Sequence, residues 1–344
     1  MSPTVSKALR IGVSLGLAAL LLFLFLRHVD LKAVGAAIAS ADRGWLAVAV
    51  GISLLGIPLR AWRWTVLFRR IGRVRQWDAI SATCIGFAAT TLLPARAGEI
   101  VRPVVLARKA RLPVPPLLAS IGLERLIDLV AILCLFVVYA LGGWAPEHMS
   151  PDELARFVLL RKSAIVFGIA TLLGLSLFAY LAARPEAAER AARPFLRLVP
   201  ERHRERAGRM LASFLEGLGA LRSPGQILIV VLSSLLLWLI FAFQLYATLR
   251  AFGLVFPFPV SFFVLTWAVM GLAIPTPGGV GGYHAAVAYA LTGFYGVGET
   301  SAKAFALVAH AISFVPVTLL GLLFLVLGGL SMRSLAVESE PASQ

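Results

Sequence analysis

Charge is what this chain lacks most. Only 14% of its 344 residues are charged while 59% are hydrophobic, against about a quarter and a half in soluble domains. Acids are scarcer than bases, with 17 Asp and Glu against 32 Lys and Arg. Only two cysteines occur, Cys84 and Cys134, both inside apolar runs and without metal-ligand spacing. A disulfide framework and a thiolate metal site are thereby excluded, and both are expected to be small buried hydrophobes. No His-Glu-x-x-His, Gly-Lys-Ser/Thr loop, Cys-x-x-Cys pair or serine elbow is present. The expectation is a chain that is not an enzyme and uses no cofactor or metal. Short alternating segments are missing too, which excludes a transmembrane β-barrel.

What is abundant is apolar length. Mean hydropathy is +0.88, and several runs reach the roughly 18 residues that read as a transmembrane helix. The fold class expected is all-α: a polytopic membrane helix bundle forming one integral membrane domain over 1–344. Apolar segments fall near 9–26, 44–68, 77–93, 114–142, 163–182, 225–252, 258–274, 284–297 and 300–330. "AIASA" at 37–41 loosely resembles a signal-peptide cleavage site but lies well beyond the first run, so 9–26 is expected to be an uncleaved first span. Residues 30–41 read as a short interfacial helix. Residues 184–222 read as a cytoplasmic amphipathic segment, Met210, Phe214, Leu218 and Leu221 recurring opposite Arg206, Arg209 and Glu216; a solvated linker helix fits the same pattern.

The net charge of +15 is a topology signal here. Cytoplasmic loops collect Lys and Arg and face an anionic phospholipid surface. No basic module interleaved with aromatics is visible, so nucleic acid is excluded as a partner. Segments 77–93 and 258–274 are short for a span, and each ends in a Pro/Gly cluster followed by another short helix. If each pair enters and leaves on one side, four bases in 69–75, four in 102–111 and nine in 184–222 all become cytoplasmic, as do both termini. Making 77–93 a full span would put a basic cluster outside.

A shift of 183 residues sets Pro94 over Pro277 and Gly98 over Gly281. The surroundings match in kind: span, short half-helix, Pro/Gly break, second half-helix, long span. The first copy covers about 44–142 and the second about 225–330, in opposite orientation. The expectation is two inverted-topology repeats, each with a re-entrant broken-helix hairpin, and a substrate site at their interface.

A half-helix that begins in mid-membrane presents unpaired N–H groups and a positive dipole end. Pro277, Gly278, Gly279, Gly281 and Gly282, with Tyr283 after them, can cradle an anion or simply let helices pack closely. Arg96, Glu99 and Arg102 add charge to the first break, and Gly98 starts its second half-helix. An intramembrane ionisable group is a functional hypothesis by default; an ion pair pinning the hairpin is the other reading. In "GLERLIDLV", Glu124 and Asp128 lie four apart with Arg125 between them, so this span could balance Arg96 or Arg102 or couple a proton. Arg60 and Arg63 read as snorkelling to the cytoplasmic interface with Trp62 and Trp64 as anchors, or else as contacting lipid phosphate. His284 and His310 read as hydrogen-bonded core residues.

"RAWRW" (60–64), "LLPARAGEIVRPVVL" (92–106), "ERLIDL" (124–129) and "PTPGGVGGYHAA" (275–286) together resemble the transmembrane region of lysylphosphatidylglycerol synthases and their stand-alone, flippase-like relatives, over roughly 10–330. The resemblance implies a lipid translocase or scramblase of the bacterial inner membrane, with a membrane lipid as substrate and a separate lipid-modifying enzyme as partner. It implies that Arg96, Arg102 and the half-helix starts hold an anionic or isoprenoid-type headgroup while Glu99 and Asp128 balance the arginines. The chain ends on "MRSLAVESEPASQ", as expected of a stand-alone member. A membrane-embedded accessory of a glycosyl or aminoacyl transferase and a small-anion transporter are the alternatives.

Overall fold

The structure is a computed structural model that describes residues 30–69, 71–93, 96–144, 151–184 and 224–328, with isolated positions in 16–25 and 186–208. Most of the expected first span 9–26, Pro94 of the first break and nearly all of segment 184–222 lie outside the described residues. Within them the chain is helical, and no strand occurs. A short α1 (Leu31–Ala39) is followed by α2 (Arg43–Leu67), α3 (Gln76–Leu92), α4 (Gly98–Ala110), α5 (Val114–Leu141) and α6 (Pro151–Ala183). After the connecting segment come α7 (Pro224–Ala251), α8 (Val260–Leu272), a one-turn 3-10 helix Pro277–Gly279, α9 (Gly282–Tyr295) and α10 (Glu299–Leu327).

Local sequence places the ends. The Asp30 and Asp42 carboxylates cap α1 and α2, accepting from Lys32 N at 2.8 Å and from Trp45 N at 3.0 Å, which satisfies backbone donors a helix start leaves free. Pro115 and Pro116 sit in the first turn of α5, where no intrahelical N–H is needed. Gly296 closes α9 in the left-handed conformation.

Among the described residues three helices (Arg43–Leu67, Gly225–Ala251 and Glu299–Leu327) are long and apolar enough to cross a membrane. Their outward residues are aliphatic, such as Leu319 and Val326 on α10. In water such a surface would be a liability, and in lipid it is the expected exterior. The molecule is a multi-pass membrane protein. By contrast α3 and α4, at 17 and 13 residues, extend only about 26 and 20 Å at 1.5 Å per residue, short of a hydrocarbon core of about 30 Å. The same holds for α8 and α9, with 13 and 14 residues.

The short helices form two hairpins that approach from opposite ends of the bundle. Helices α2 and α7 run antiparallel: Asp42 N donates to Ala251 O at 2.8 Å at one end, and Arg63 Nη1 donates to Ser234 Oγ at 2.7 Å towards the other. The open end of the α3–α4 hairpin lies with Leu67, Leu106, Leu117, Val230 and Leu325. The open end of α8–α9 lies with Tyr139, Val260, Leu291 and Ala302. The tips meet inside the bundle, where Thr91 abuts Gly278.

Packing partnerships exchange in pairs when α2–α5 are swapped for α7–α10. Helix α3 packs on α10 as α8 packs on α5; α3–α4 matches α8–α9, α4–α5 matches α9–α10, and α2–α3 matches α7–α8. The hairpins even share a device. Gly86 of α3 faces Gly98 at the start of α4, and Gly271 of α8 faces Gly282 at the start of α9. A Cβ at Gly98 would lie 1.9 Å from Gly86 O and one at Gly282 would lie 2.5 Å from Gly271 O. The structural counterpart of Gly98 is thus Gly282, one residue beyond the Gly281 that letter matching suggested.

Candidate functional site

Where the hairpin tips meet, a cavity of about 370 Å³ lies between the two sets of helices. Residues of α2–α5 and the first break supply its charge: Arg60 from α2, Arg96, Glu99 and Arg102 around the break, and Arg125 and Asp128 from α5. Across from them stand Gln244, Thr276, Gly278, Tyr283 and Ser313. Helix periodicity explains the first group, because Arg125 and Asp128, three apart, share a face of α5, as do Glu99 and Arg102 on α4.

Behind this wall the charges form one connected network. Glu124, fully buried, contacts Arg125 Nη2 at 2.7 Å, Arg102 Nη1 at 3.0 Å and Arg63 Nη2 at 3.2 Å. Asp128 takes Arg63 at 2.5 Å, Arg125 at 3.3 Å and the Trp238 indole N–H at 2.9 Å. The Arg102 guanidinium also lies 4.0 Å over the Trp64 ring, whose own N–H donates to Ser120 Oγ at 2.9 Å. Ion pairs taken out of water hold only when every lone pair is used in this way. Arg60 is treated differently. It is 8% exposed, sits between the Phe87 and Phe241 rings at 4.8 and 5.0 Å, and forms no salt bridge among the described residues.

The structure places Arg96, Glu99, Arg102, Arg125, Asp128, Gly278 and Tyr283 around one cavity. Arg96 donates from Nη2 to Leu272 O at 2.5 Å, tying the first tip to the end of α8; it is not neutralised by the α5 carboxylates, whereas Arg102 is. Arg96 itself adopts φ +53°, a left-handed turn that a non-glycine residue takes at a cost.

Three readings are corrected. Arg60 and Arg63 do not snorkel: both are buried, and Arg63 is held inside by Glu124 and Asp128 rather than reaching the interface. Trp64 is likewise buried, leaving Trp62 as the exposed ring. The glycine turn is largely not an open cradle, because its amides are already used. Gly279 N donates to Thr276 O at 3.0 Å, Val280 N to Pro277 O at 3.2 Å, and Gly281 N to His284 Nδ1 at 3.2 Å. Gly278 and Gly279 line the cavity, while Pro277, Gly281 and Gly282 shape the turn and the helix contact. Cys84 is buried as expected, but Cys134 is exposed on the outside of α5.

The histidines are core residues as read from sequence. His310 Nε2 bonds Gly278 O at 2.7 Å, and His284 holds Gly281, so the ring pair, 4.6 Å apart, pins the turn. Sequence reasoning missed Trp238, Gln244 and Ser313. Gln244 donates to Ser313 Oγ at 3.0 Å and is buried to 2% exposure. A buried glutamine in an otherwise aliphatic span was the available signal.

Fold and site define a polytopic α-helical membrane protein with a charged cavity enclosed between two helix sets. Residues 9–321 match the model of the lysylphosphatidylglycerol synthase TM region, and the chain belongs to that family. It is also similar to the glycosyltransferase AglD of Haloferax volcanii, 27% identical over 339 residues, which cover 90% of this chain and 53% of that protein. The chain therefore spans about half the length of that relative.

Proposed function

We propose that the chain is a lipid translocase, flippase- or scramblase-like, that passes the anionic headgroup of an isoprenoid-type or phospholipid substrate through the cavity while its tail stays in the bilayer. The single observation that carries this reading is a positively charged cavity at the tips of two short hairpins that come from opposite ends of the bundle. The exchange of packing partners supports two inverted-topology repeats, the hairpins being re-entrant and the site lying near the midplane. The cavity rim includes Arg125, its side chain 41% exposed, and Leu129, 52% exposed. Both lie on the outward face of α5 beside Leu126, so the opening faces lipid rather than an aqueous end. That geometry suits a ligand with a headgroup inside and a tail outside. Arg96, Arg102 and Gly278 contact the headgroup in this reading, Glu99 with Asp128 balances the arginines, and neither catalysis nor a cofactor is involved. The protein resides in a bacterial inner membrane with both termini cytoplasmic and works beside a separate lipid-modifying enzyme.

The similarity to a protein named a glycosyltransferase favours a second reading, in which the domain binds a lipid for a transferase without moving it. Reconstitution separates them. With a fluorescent anionic lipid in liposomes, wild-type protein is expected to make the inner-leaflet label accessible to a membrane-impermeant quencher. Arg96→Ala and Glu99→Gln are expected to abolish this while inserting normally. Full transport by both variants would overturn the site, and lipid binding without transport by wild-type protein would favour the accessory reading.

A further inference from the structure

The charge around the cavity does not balance. Five arginines (60, 63, 96, 102 and 125) face three carboxylates (Glu99, Glu124 and Asp128), a surplus of two positive charges. An uncompensated charge in a low-dielectric interior is costly, so this arrangement is poised for a partner that brings the missing negative charge. Unused donors lie around it. Arg60 Nε, Arg63 Nε, Arg102 Nη2 and Arg125 Nε are buried without a hydrogen-bond acceptor, and Arg60, Arg102 and Arg125 line the cavity. Arg60 is more than nine-tenths buried, lines the cavity and has no ion-pair partner among the described residues. Guanidinium groups bind phosphate oxygens through paired N–H donors.

An ammonium finds no such place. Glu124 is occupied by three guanidinium groups, and Asp128 by Arg63, Arg125 and Trp238. Glu99, the remaining carboxylate, lies three residues from both Arg96 and Arg102, which line the same cavity, so an ammonium there would meet two guanidinium groups as well. The wall opposite is polar but neutral: Gln244, Ser313 and Thr276 offer amide and hydroxyl groups suited to hydroxyl substituents.

Taking the cavity as the headgroup site proposed above, we infer that its ligand is a phosphate carrying two negative charges and no amine, a phosphomonoester or diphosphate rather than a monoanionic diester or an aminoacylated headgroup. The neutral wall receives whatever hydroxyl-bearing group the phosphate carries. A monoester fits the count, because its second ionisation near pH 6 leaves it close to −2 at neutral pH.

Lipids that share two acyl tails and differ only in headgroup test this directly. Delipidated protein in a non-ionic detergent is titrated with phosphatidic acid, phosphatidylglycerol and phosphatidylethanolamine, with retention read by native mass spectrometry. Phosphatidic acid is expected to bind about tenfold more tightly than phosphatidylglycerol, the equivalent of one additional ion pair, and phosphatidylethanolamine least of all. Arg60→Gln should bring the first two within about twofold, and Arg60→Lys should restore most of the gap. Equal binding of phosphatidic acid and phosphatidylglycerol by wild-type protein, or phosphatidylethanolamine matching phosphatidic acid, overturns the inference. The wild-type ranking decides alone should Arg60→Gln fail to fold. An excess of inorganic phosphate distinguishes the source of the anion. Phosphatidic acid that resists displacement supports a lipid ligand. Complete displacement leaves the dianion assignment standing and removes the lipid-translocase reading in favour of a soluble anion.

Discussion

Glu124 holds three guanidinium groups within 3.2 Å, while Arg60, one turn before Arg63, is held by the Phe87 and Phe241 rings. These neighbours predict opposite responses to mutation. Glu124→Ala strips the counter-charge from a buried cluster, and breaking a buried pair in this way costs about 3–5 kcal/mol. Arg60→Gln loses only a ring contact of about 0.5–2 kcal/mol and relieves some of the cluster's mutual repulsion. Unfolding in mixed micelles should separate the two variants clearly; a Glu124→Ala protein as stable as wild type would refute the network as described. At this scale the sequence was partly legible. Charges inside apolar runs marked Arg96, Glu99, Arg102 and Arg125, because hydrocarbon tolerates them only against protein. Arg63 was misjudged because its position near the end of α2 suits an interfacial cation equally well. The distinction depends on Asp128, 65 residues away, facing it, and no local pattern encodes that.

The hairpins depend on glycine at the point where their two helices touch. An alanine at Gly98 would place its Cβ 1.9 Å from Gly86 O and 2.1 Å from Thr90 Oγ1, backbone and side chain that cannot both withdraw. Overpacking of this kind costs about 1–3 kcal/mol, and because Arg96 and Glu99 hang on the same turn, the transport proposed for this cavity should fall with stability. Gly51→Ala is the matched control: it sits in α2 with nothing within 4 Å of the added Cβ, and removing a helical glycine is worth about +0.5–1 kcal/mol. Thermal midpoints moving in opposite directions for the two variants check the pair, and a neutral Gly98→Ala would mean the hairpin has slack it is not shown to have. Both breaks were readable from proline and glycine, as were the short helices on either side. The register between them was not. Pro94 and Pro277 draw a letter alignment that misses Gly282 by one residue and Gly271 by two, because packing selects the glycine that touches backbone. A glycine that merely turns the chain leaves the same letter.

Across the whole molecule, the antiparallel α2–α7 pair and the exchange of packing partners place the two hairpins at opposite ends of the bundle. Residues 71–75 and 111–113 lie at one open end, and residues 254–258 and 296–298 at the other. The first end is rich in arginine and lysine, with Arg69, Arg73, Arg75, Arg108, Lys109 and Arg111, which under the positive-inside rule is the end expected on the cytoplasmic side of the orientation proposed above. The second carries few bases and exposes Val255. In a background with Cys84 and Cys134 replaced by alanine, single cysteines at Arg73 and Arg111 should resist a membrane-impermeant maleimide in intact cells and label in inverted vesicles. Single cysteines at Val255 and Gly298 should show the reverse. Two complete crossings by α3 and α4 would also return Arg111 to the side of Arg73, so the tips separate the two topologies. Single cysteines at Leu93 and Ile274 would label from the side opposite their hairpin's open end if each short helix crossed alone, and resist the impermeant reagent from both sides if the hairpins are re-entrant. Agreement within each pair, disagreement between pairs and protected tips are together the signature of two re-entrant hairpins in inverted orientation; labelled tips would mean a uniform bundle of spans, and agreement between pairs would mean a parallel repeat.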